Sequence, residues 1–226
     1  MIYNSKYGKL EFWDPYPNLN KFKKIGINLS GGCDSALITF MTCRELTHRK
    51  LEATIVPITG IDKKRPTNIW NARQIIILFK EMFPNINFYE HQINHYEKLY
   101  EKDKVNHHRA HENKLREDGI IDVLLHGRSL NPPEDIAIEH NLLYKRDERR
   151  DSHNRKPYYN RDPFYCPLEY LDKRFVAEMY RQYNLMDNLF PITSSCVEYE
   201  KKTNYFTKPC KECWWCRERY WAFGKY

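Results

Sequence analysis

The chain has 226 residues, 41% of them apolar and 15% aromatic, and carries 37 Lys and Arg against 30 Asp and Glu for a formal net charge of +7. This composition supports one sizeable core with a small attachment and excludes both a disordered polymer and two full-sized domains. No run of eighteen apolar residues occurs and the first twenty residues lack a basic stretch followed by an apolar one, so neither a membrane span nor a secretory signal is expected.

In chain order, Lys24-Ile25-Gly26-Ile27-Asn28-Leu29 alternates apolar residues up to a glycine pair, the pattern of a strand entering a tight turn. From Ser35 onward, Ala36, Leu37, Ile38, Phe40 and Met41 have helical spacing, with Asp34 or Ser35 placed to cap the first turn. Residues 51–58 read as a second strand, 68–83 as a second helix and 86–93 as a third strand. A charged helix follows over 97–117, then a fourth strand over 120–125 that ends at His126-Gly127. Such alternation predicts an α/β fold with a doubly wound, mostly parallel, Rossmann-like sheet. Residues 141–163 are dense in Arg, Asp, Asn, Tyr and Pro and read as an excursion or lid, after which 171–183 resumes a helical pattern. The expected division is a main domain over residues 1–190 and a small metal-binding extension over 191–226.

The turn between the first strand and helix is Ser30-Gly31-Gly32-Cys33-Asp34-Ser35. Glycines there let backbone N–H groups converge on an anion, with the positive end of a helix dipole behind them. Ser30 and Ser35 add hydroxyl donors, and Asp34 suits a magnesium ion travelling with phosphates. No G-x-x-x-x-G-K-[ST] occurs and no lysine stands in the turn, so a leaving pyrophosphate fits it better than a γ-phosphate. Leu29 through Ser35 are therefore candidate ATP-binding residues, with Asp34 and Ser35 closest to the chemistry.

Two other segments share the carboxyl edge of the predicted sheet, where open α/β folds hold ligands. Thr59 and Gly60, after the second strand, are candidates to border the adenine. Gly127 and Arg128, after the fourth, are candidates for a substrate, since a guanidinium pairs bidentately with carboxylate or phosphate. His107, His108, His111 and Glu112 share a helical face, but the lysines and arginines around them favour a solvated surface helix, and they are not assigned to a metal.

Seven cysteines are present, and Cys196, Cys210, Cys213 and Cys216 form a C-x13-C-x2-C-x2-C array, a spacing that brings thiolates onto one ion. A closed zinc site that pins the tail is the reading of choice, with an iron–sulfur cluster as its rival. Such cysteine usage suits a reducing cytoplasm rather than a disulfide framework.

Ser30-Gly31-Gly32-Cys33-Asp34-Ser35 resembles the S-G-G-x-D-S signature of the PP-loop, or N-type ATP pyrophosphatase, superfamily. Together with the cysteine tail, Pro167-Leu168-Glu169-Tyr170-Leu171-Asp172-Lys173 and Pro191-Ile192-Thr193-Ser194-Ser195-Cys196, the chain resembles the 7-cyano-7-deazaguanine synthase family from about Lys24 to Tyr220. The first cysteine gap is longer than is usual there, and residues 141–162 do not follow the family pattern. The resemblance implies an adenine nucleotide alpha hydrolase-like fold, ATP with magnesium, zinc on the four cysteines, and a cytoplasmic ligase, with a homodimer compatible with it. It implies that 7-carboxy-7-deazaguanine is adenylylated and displaced by ammonia, giving the nitrile or stopping at the amide; no nucleic acid is expected as a partner. The alternative is a PP-loop tRNA-modifying enzyme of the thiolase kind.

Overall fold

The structure, a computed structural model, describes residues 1–13, 19–62, 66–96, 101–140, 150–151 and 164–226. Its centre is set by the apolar alternation of β3 (Lys24–Asn28), where Ile25 and Ile27 are fully buried. On one side β3 pairs with β4 (Thr54–Asp62), and beyond β4 lie β5 (Asn87–Phe88) and β6 (Gln92–Tyr96). On the other side come β7 (Val123–His126) and then β8 (Phe164–Tyr165), and every pairing in this sheet is parallel. Strand order thus runs outward in both directions from β3, and the winding reverses between β3 and β7. A crevice opens at the carboxyl ends of two strands wound apart in this way. Register puts Asn28 opposite both Ile58 and His126, so the last residues of β3 and β7 stand side by side at that crevice.

Helices cover the sheet: α1 (Cys33–Arg49), α2 (Thr67–Met82), α3 (Glu101–Glu117), the short α4 (Glu134–Glu139), α5 (Lys173–Gln182), α6 (Glu200–Thr203) and α7 (Trp214–Phe223). α1 is buried along most of its length, which its run of Ala36, Leu37, Ile38, Phe40 and Met41 requires. Among the described residues no helix is long and apolar enough to cross a membrane.

Several sequence expectations change. The predicted strand over 86–93 is two strands, because the chain leaves β4 between them and turns His91 inward toward Thr59. An antiparallel hairpin of β1 (Ile2–Ser5) and β2 (Gly8–Glu11) was not legible, since it buries only one residue per strand, Tyr3 and Leu10, before Phe12 and Trp13. The excursion expected over 141–163 lies outside the described residues apart from Arg150 and Asp151.

The tail is not a loose appendage. Phe223 of α7 meets Tyr180 edge-on at 5.4 Å and Phe190 at 4.7 Å between ring centroids. Arg219 lies over the Phe190 ring at 3.9 Å and donates to Thr193 Oγ1 and the Phe190 carbonyl, each at 2.9 Å. Ala222 and Phe223 belong to the same hydrophobic cluster as the sheet and α1, so the end of α7 is packed into the main core.

Candidate nucleotide site and cysteine centre

Strand β3 delivers the chain through Leu29 into the glycine turn and straight into α1. Gly31 has φ +79, and a Cβ there would stand 2.9 Å from the Asn68 carbonyl oxygen and 2.9 Å from Asn71 Cβ, so the turn needs a residue without one. Gly32 is the N-cap, and no side chain caps the first turn of α1, contrary to the expectation for Asp34 or Ser35. Both side chains are engaged elsewhere. Asp34 accepts from Lys173 Nζ at 2.5 Å and Ser129 Oγ at 3.2 Å, while the Ser35 hydroxyl donates to the Gly32 carbonyl at 3.0 Å and lies 3.2 Å from Ser30 Oγ. The leading N–H groups of a 17-residue helix therefore face the crevice without a side-chain cap, which is the arrangement that binds anions.

Gly127 closes the other wall by contact. A Cβ at Gly127 would fall 2.6 Å from Ser35 N and 2.7 Å from Ser35 Cα, so the loop after β7 lies directly on the first turn of α1. Between the two loops is a cavity of about 380 Å³. The glycine turn, from Ser30 to Ser35 without Gly31, forms its floor, His126, Arg128 and Ser129 one side, and Ser194 to Val197 with Trp215 the other. Arg128 Nη2 lies 3.9 Å from the buried Glu169 carboxylate.

Leu29, Gly31, Thr59 and Gly60 do not line this cavity. Gly31 instead accepts from Ser194 N at 2.9 Å through its carbonyl, which ties the turn to the segment leading into Cys196. Gly60 sits within β4 opposite Asn94. Thr59 is fully buried and donates its one hydroxyl hydrogen to the Leu29 carbonyl at 2.6 Å, so it supports the turn from beneath.

That geometry sets a tautomer. Because the Thr59 hydrogen is committed, His91 Nε2, 2.7 Å from Thr59 Oγ1, must be the donor, and its buried Nδ1 has no hydrogen-bond partner. Burial, aided by Arg73, depresses the His91 pKa from 6.5 to about 4. The unfolded chain then binds a proton that the folded chain refuses, so stability is lost as pH falls from about 6.5 to about 4. Unfolding free energies from urea titrations at pH 7 and pH 4.5 are expected to differ by roughly 1–2 kcal/mol through this partly exposed residue, and His91→Gln is expected to remove most of that difference. Equal pH dependence in the variant would refute the assignment.

Three charged residues at the cavity were given no role by sequence reasoning. Lys173, at the start of α5, is 4% exposed, with Nζ bound to Asp34 and 3.7 Å from Glu218. Burial opposes its charge, but Asp34, Cys33 and Glu218 outweigh it and hold the ammonium above the ordinary lysine range. Arg150 donates to the Ser129 carbonyl at 2.8 Å and to Glu218 of α7 at 2.5 Å. A ladder of alternating charge, Asp34, Lys173, Glu218 and Arg150, thus runs from the glycine turn to the helix that carries Cys216. Lys173 was visible in the P-L-x-x-x-x-K stretch; Arg150 and Glu218 had no local pattern.

The reading of α3 as a solvated surface helix also needs correction. Glu112 is 3% exposed, because its face packs on the carboxyl ends of β3 and β7. Its Oε1 is 2.9 Å from His108 Nε2 and accepts from Asn28 Nδ2 at 3.2 Å. His126 Nε2 lies 3.9 Å from the same oxygen, and the His126 ring tilts against Phe164 at 5.9 Å. Burial lowers the pKa of His126 from its usual value, with His108, Arg128 and Arg109 adding to the effect against the attraction of Glu112. Burial alone would raise that of Glu112, but the bond to His108 and the charge of His126 bring it below the usual range.

The four tail cysteines converge, their sulfurs all within 4.8 Å of one another. Cys210 N donates to Cys196 Sγ at 3.4 Å, and Glu212 N and Cys213 N donate to Cys210 Sγ at 3.4 and 3.3 Å. Backbone donors aimed at sulfur stabilise thiolates, and Lys211 at φ 64 makes the tight knuckle that aims them. Four sulfurs at this separation fit a tetrahedral ion with metal–sulfur bonds of about 2.3 Å. Cys196 also lines the cavity beside the glycine turn. Cys33, Cys43 and Cys166 are buried.

No protein-family model and no curated protein matches this chain. Among solved structures it is similar to the U34-tRNA thiolase NcsA from Methanococcus maripaludis with its 4Fe-4S cluster, at a TM-score of 0.47 and 16% identity over 72% of this chain. The chain spans 57% of that structure's length.

Proposed function

We propose that this chain is an ATP-dependent adenylylating enzyme of the PP-loop kind. What carries the reading is the uncapped start of α1, entered through Gly31 and Gly32 at the reversal of strand order, with Lys173 beside it. When ATP binds, an acid oxygen of the substrate attacks the α-phosphorus and pyrophosphate leaves with the bridging electron pair. Turn N–H groups, the Ser30 hydroxyl and Lys173 are the donors that meet the growing negative charge. Asp34 is the residue that would hold the accompanying magnesium, and Lys173 keeps its carboxylate aimed into the cavity.

The substrate of this proposal is 7-carboxy-7-deazaguanine, with ammonia as nucleophile, because the cysteine array, the P-L-x-x-x-x-K stretch and the glycine turn together resemble that synthase family. Arg128, on the cavity wall, is the candidate partner for the acid. The tail cysteines would hold zinc, whose contribution is to fix α7 and with it Glu218. A second reading, a tRNA thiolase, draws on one observation: Cys196 belongs both to the metal-binding group and to the cavity wall, within reach of an activated base.

Exchange of labelled pyrophosphate into ATP tests both. Exchange that requires 7-carboxy-7-deazaguanine supports the ligase, exchange that requires tRNA supports the thiolase, and no exchange with either overturns the adenylylation reading.

A further inference from the structure

A second cavity, of about 200 Å³, adjoins the first, and Ser194, Ser195 and Cys196 line both. We infer that it holds the ring system of the substrate, a neutral guanine-type base, with Glu198 reading the paired N–H donors of its pyrimidine edge and Trp70 stacking on its face. This deepens the proposed ligase reading and rests on it for the identity of the base.

Size and walls come first. Pockets for drug-sized ligands begin at roughly 300 Å³, so this cavity suits a bare bicyclic base rather than a nucleotide. Trp70 of α2 lines it, is 49% exposed and meets Phe206 edge-on at 6.2 Å, and no other described ring packs on it. Phe206 ends a run of three non-glycine residues with positive φ, Asn204 at 47, Tyr205 at 54 and Phe206 at 64. Such a run is costly for residues that carry a Cβ. Thr203 holds it in place: its hydroxyl accepts from Phe206 N at 3.1 Å and its carbonyl from Lys208 N at 3.0 Å. Backbone strain that sets one ring against another beside a cavity is the mark of a ligand clamp.

Glu198 supplies the chemistry. It lines the cavity, and its carboxylate has neither an ion pair nor a hydrogen bond among the described residues. Arg219, 4% exposed and on the same lining, directs Nη1 to Thr193 Oγ1 and Nη2 to the Phe190 carbonyl, at 2.9 Å each, and lies beyond salt-bridge reach of Glu198. A carboxylate beside a small cavity without a partner calls for donors from a ligand. Because Arg219 and Lys208 also line the cavity and repel a cation, those donors belong to a neutral molecule. The adjacent N1–H and 2-amino groups of a guanine-type ring match the two oxygens of a carboxylate. A uracil ring, with one N–H between two carbonyls, would set an oxygen against Glu198. In 7-carboxy-7-deazaguanine the acid stands on the five-membered ring, remote from the edge that Glu198 reads. Ser194 N donates to the Gly31 carbonyl at 2.9 Å, so the segment shared by the two cavities is fastened to the glycine turn. An acid carried past that segment meets the turn and Arg128.

Calorimetric titration of the purified chain with 7-deazaguanine and 7-deazahypoxanthine, which lacks only the 2-amino group, reads the pocket without any chemistry. 7-Deazaguanine is expected to bind at least about tenfold more tightly, the preference set by one hydrogen bond to a charged group. In Glu198→Gln that preference should fall below about threefold, whereas a merely structural Glu198 would leave it unchanged. Trp70→Ala is expected to weaken both bases by a similar factor of about ten, since stacking is blind to the amino group. A non-hydrolysable ATP analogue should leave 7-deazaguanine bound. In pyrophosphate exchange, Glu198→Gln should raise KM for 7-carboxy-7-deazaguanine about tenfold with kcat within about threefold. No amino-group preference in the wild-type chain, the same preference in Glu198→Gln, unchanged binding in Trp70→Ala, or displacement by the ATP analogue each overturns the inference. A pocket that behaves as expected in a chain that shows no exchange overturns instead the adenylylation reading.

Discussion

Lys173→Met is expected to lower pyrophosphate exchange by at least about 100-fold, the loss typical when one preorganised donor to a developing oxyanion is removed. The substitution preserves most of the apolar stem that fills the buried site at the start of α5, so the effect arises from charge. Without the ammonium, Asp34 keeps the Ser129 hydroxyl and the long contact from the Cys33 thiol, and Glu218 keeps Arg150. Removing one partner from a buried ion pair costs about 3–5 kcal/mol, so a fall in melting temperature should accompany the loss of exchange. Lys173→Arg restores the charge but presents a planar fork where a single Nζ now meets Asp34, and an intermediate exchange rate is expected. Exchange within threefold of wild type in Lys173→Met, with the fold intact by circular dichroism, would remove Lys173 from the phosphate site.

The second large effect concerns the cysteine centre. Stripping the metal, or substituting Cys210→Ser, is expected to destabilise the chain by at least about 3 kcal/mol, since structural thiolate sites couple ion binding to folding. For a chain of this size that corresponds to a drop of roughly 6–12 °C in melting temperature. The consequence should reach the candidate nucleotide site, because α7 begins at the cysteine knuckle and carries Glu218 to Lys173 and Arg150. Elemental analysis of purified protein distinguishes the candidate ions: about one zinc per chain for the closed tetrahedral site, or iron with visible absorption for a cluster. A metal-free protein that melts like the purified one would show that the four sulfurs converge without an ion's help.

What was legible from residues alone was everything with a short repeat length. Apolar alternation marked β3, helical spacing marked α1, α2 and α5, and close cysteine spacing marked the metal-binding group. Local requirements made the glycine turn readable, since a strand running into Gly31-Gly32 and then a helix is a short-range pattern, although the missing side-chain cap was not. The helix over α3 was also found, but not its burial: charge density suggested solvent on every side, whereas Glu112 is held by groups on β3 and β7 that are distant in sequence.

Tertiary packing alone decided how the strands are ordered, and with that order came the site's composition. Placing β7 beside β3 brings His126 to Asn28 and sets Gly127 on the backbone of Ser35, contacts across roughly ninety residues that no periodicity encodes. The same is true of Lys173, Glu218 and Arg150, drawn together because a buried charge must find an opposite one wherever the fold supplies it. Sequence determined the turn and the cysteine array because local backbone geometry and ligand spacing are short-range properties. Charge-balancing groups were decided by the fold because Coulombic pairing and burial depend on distance in space rather than along the chain.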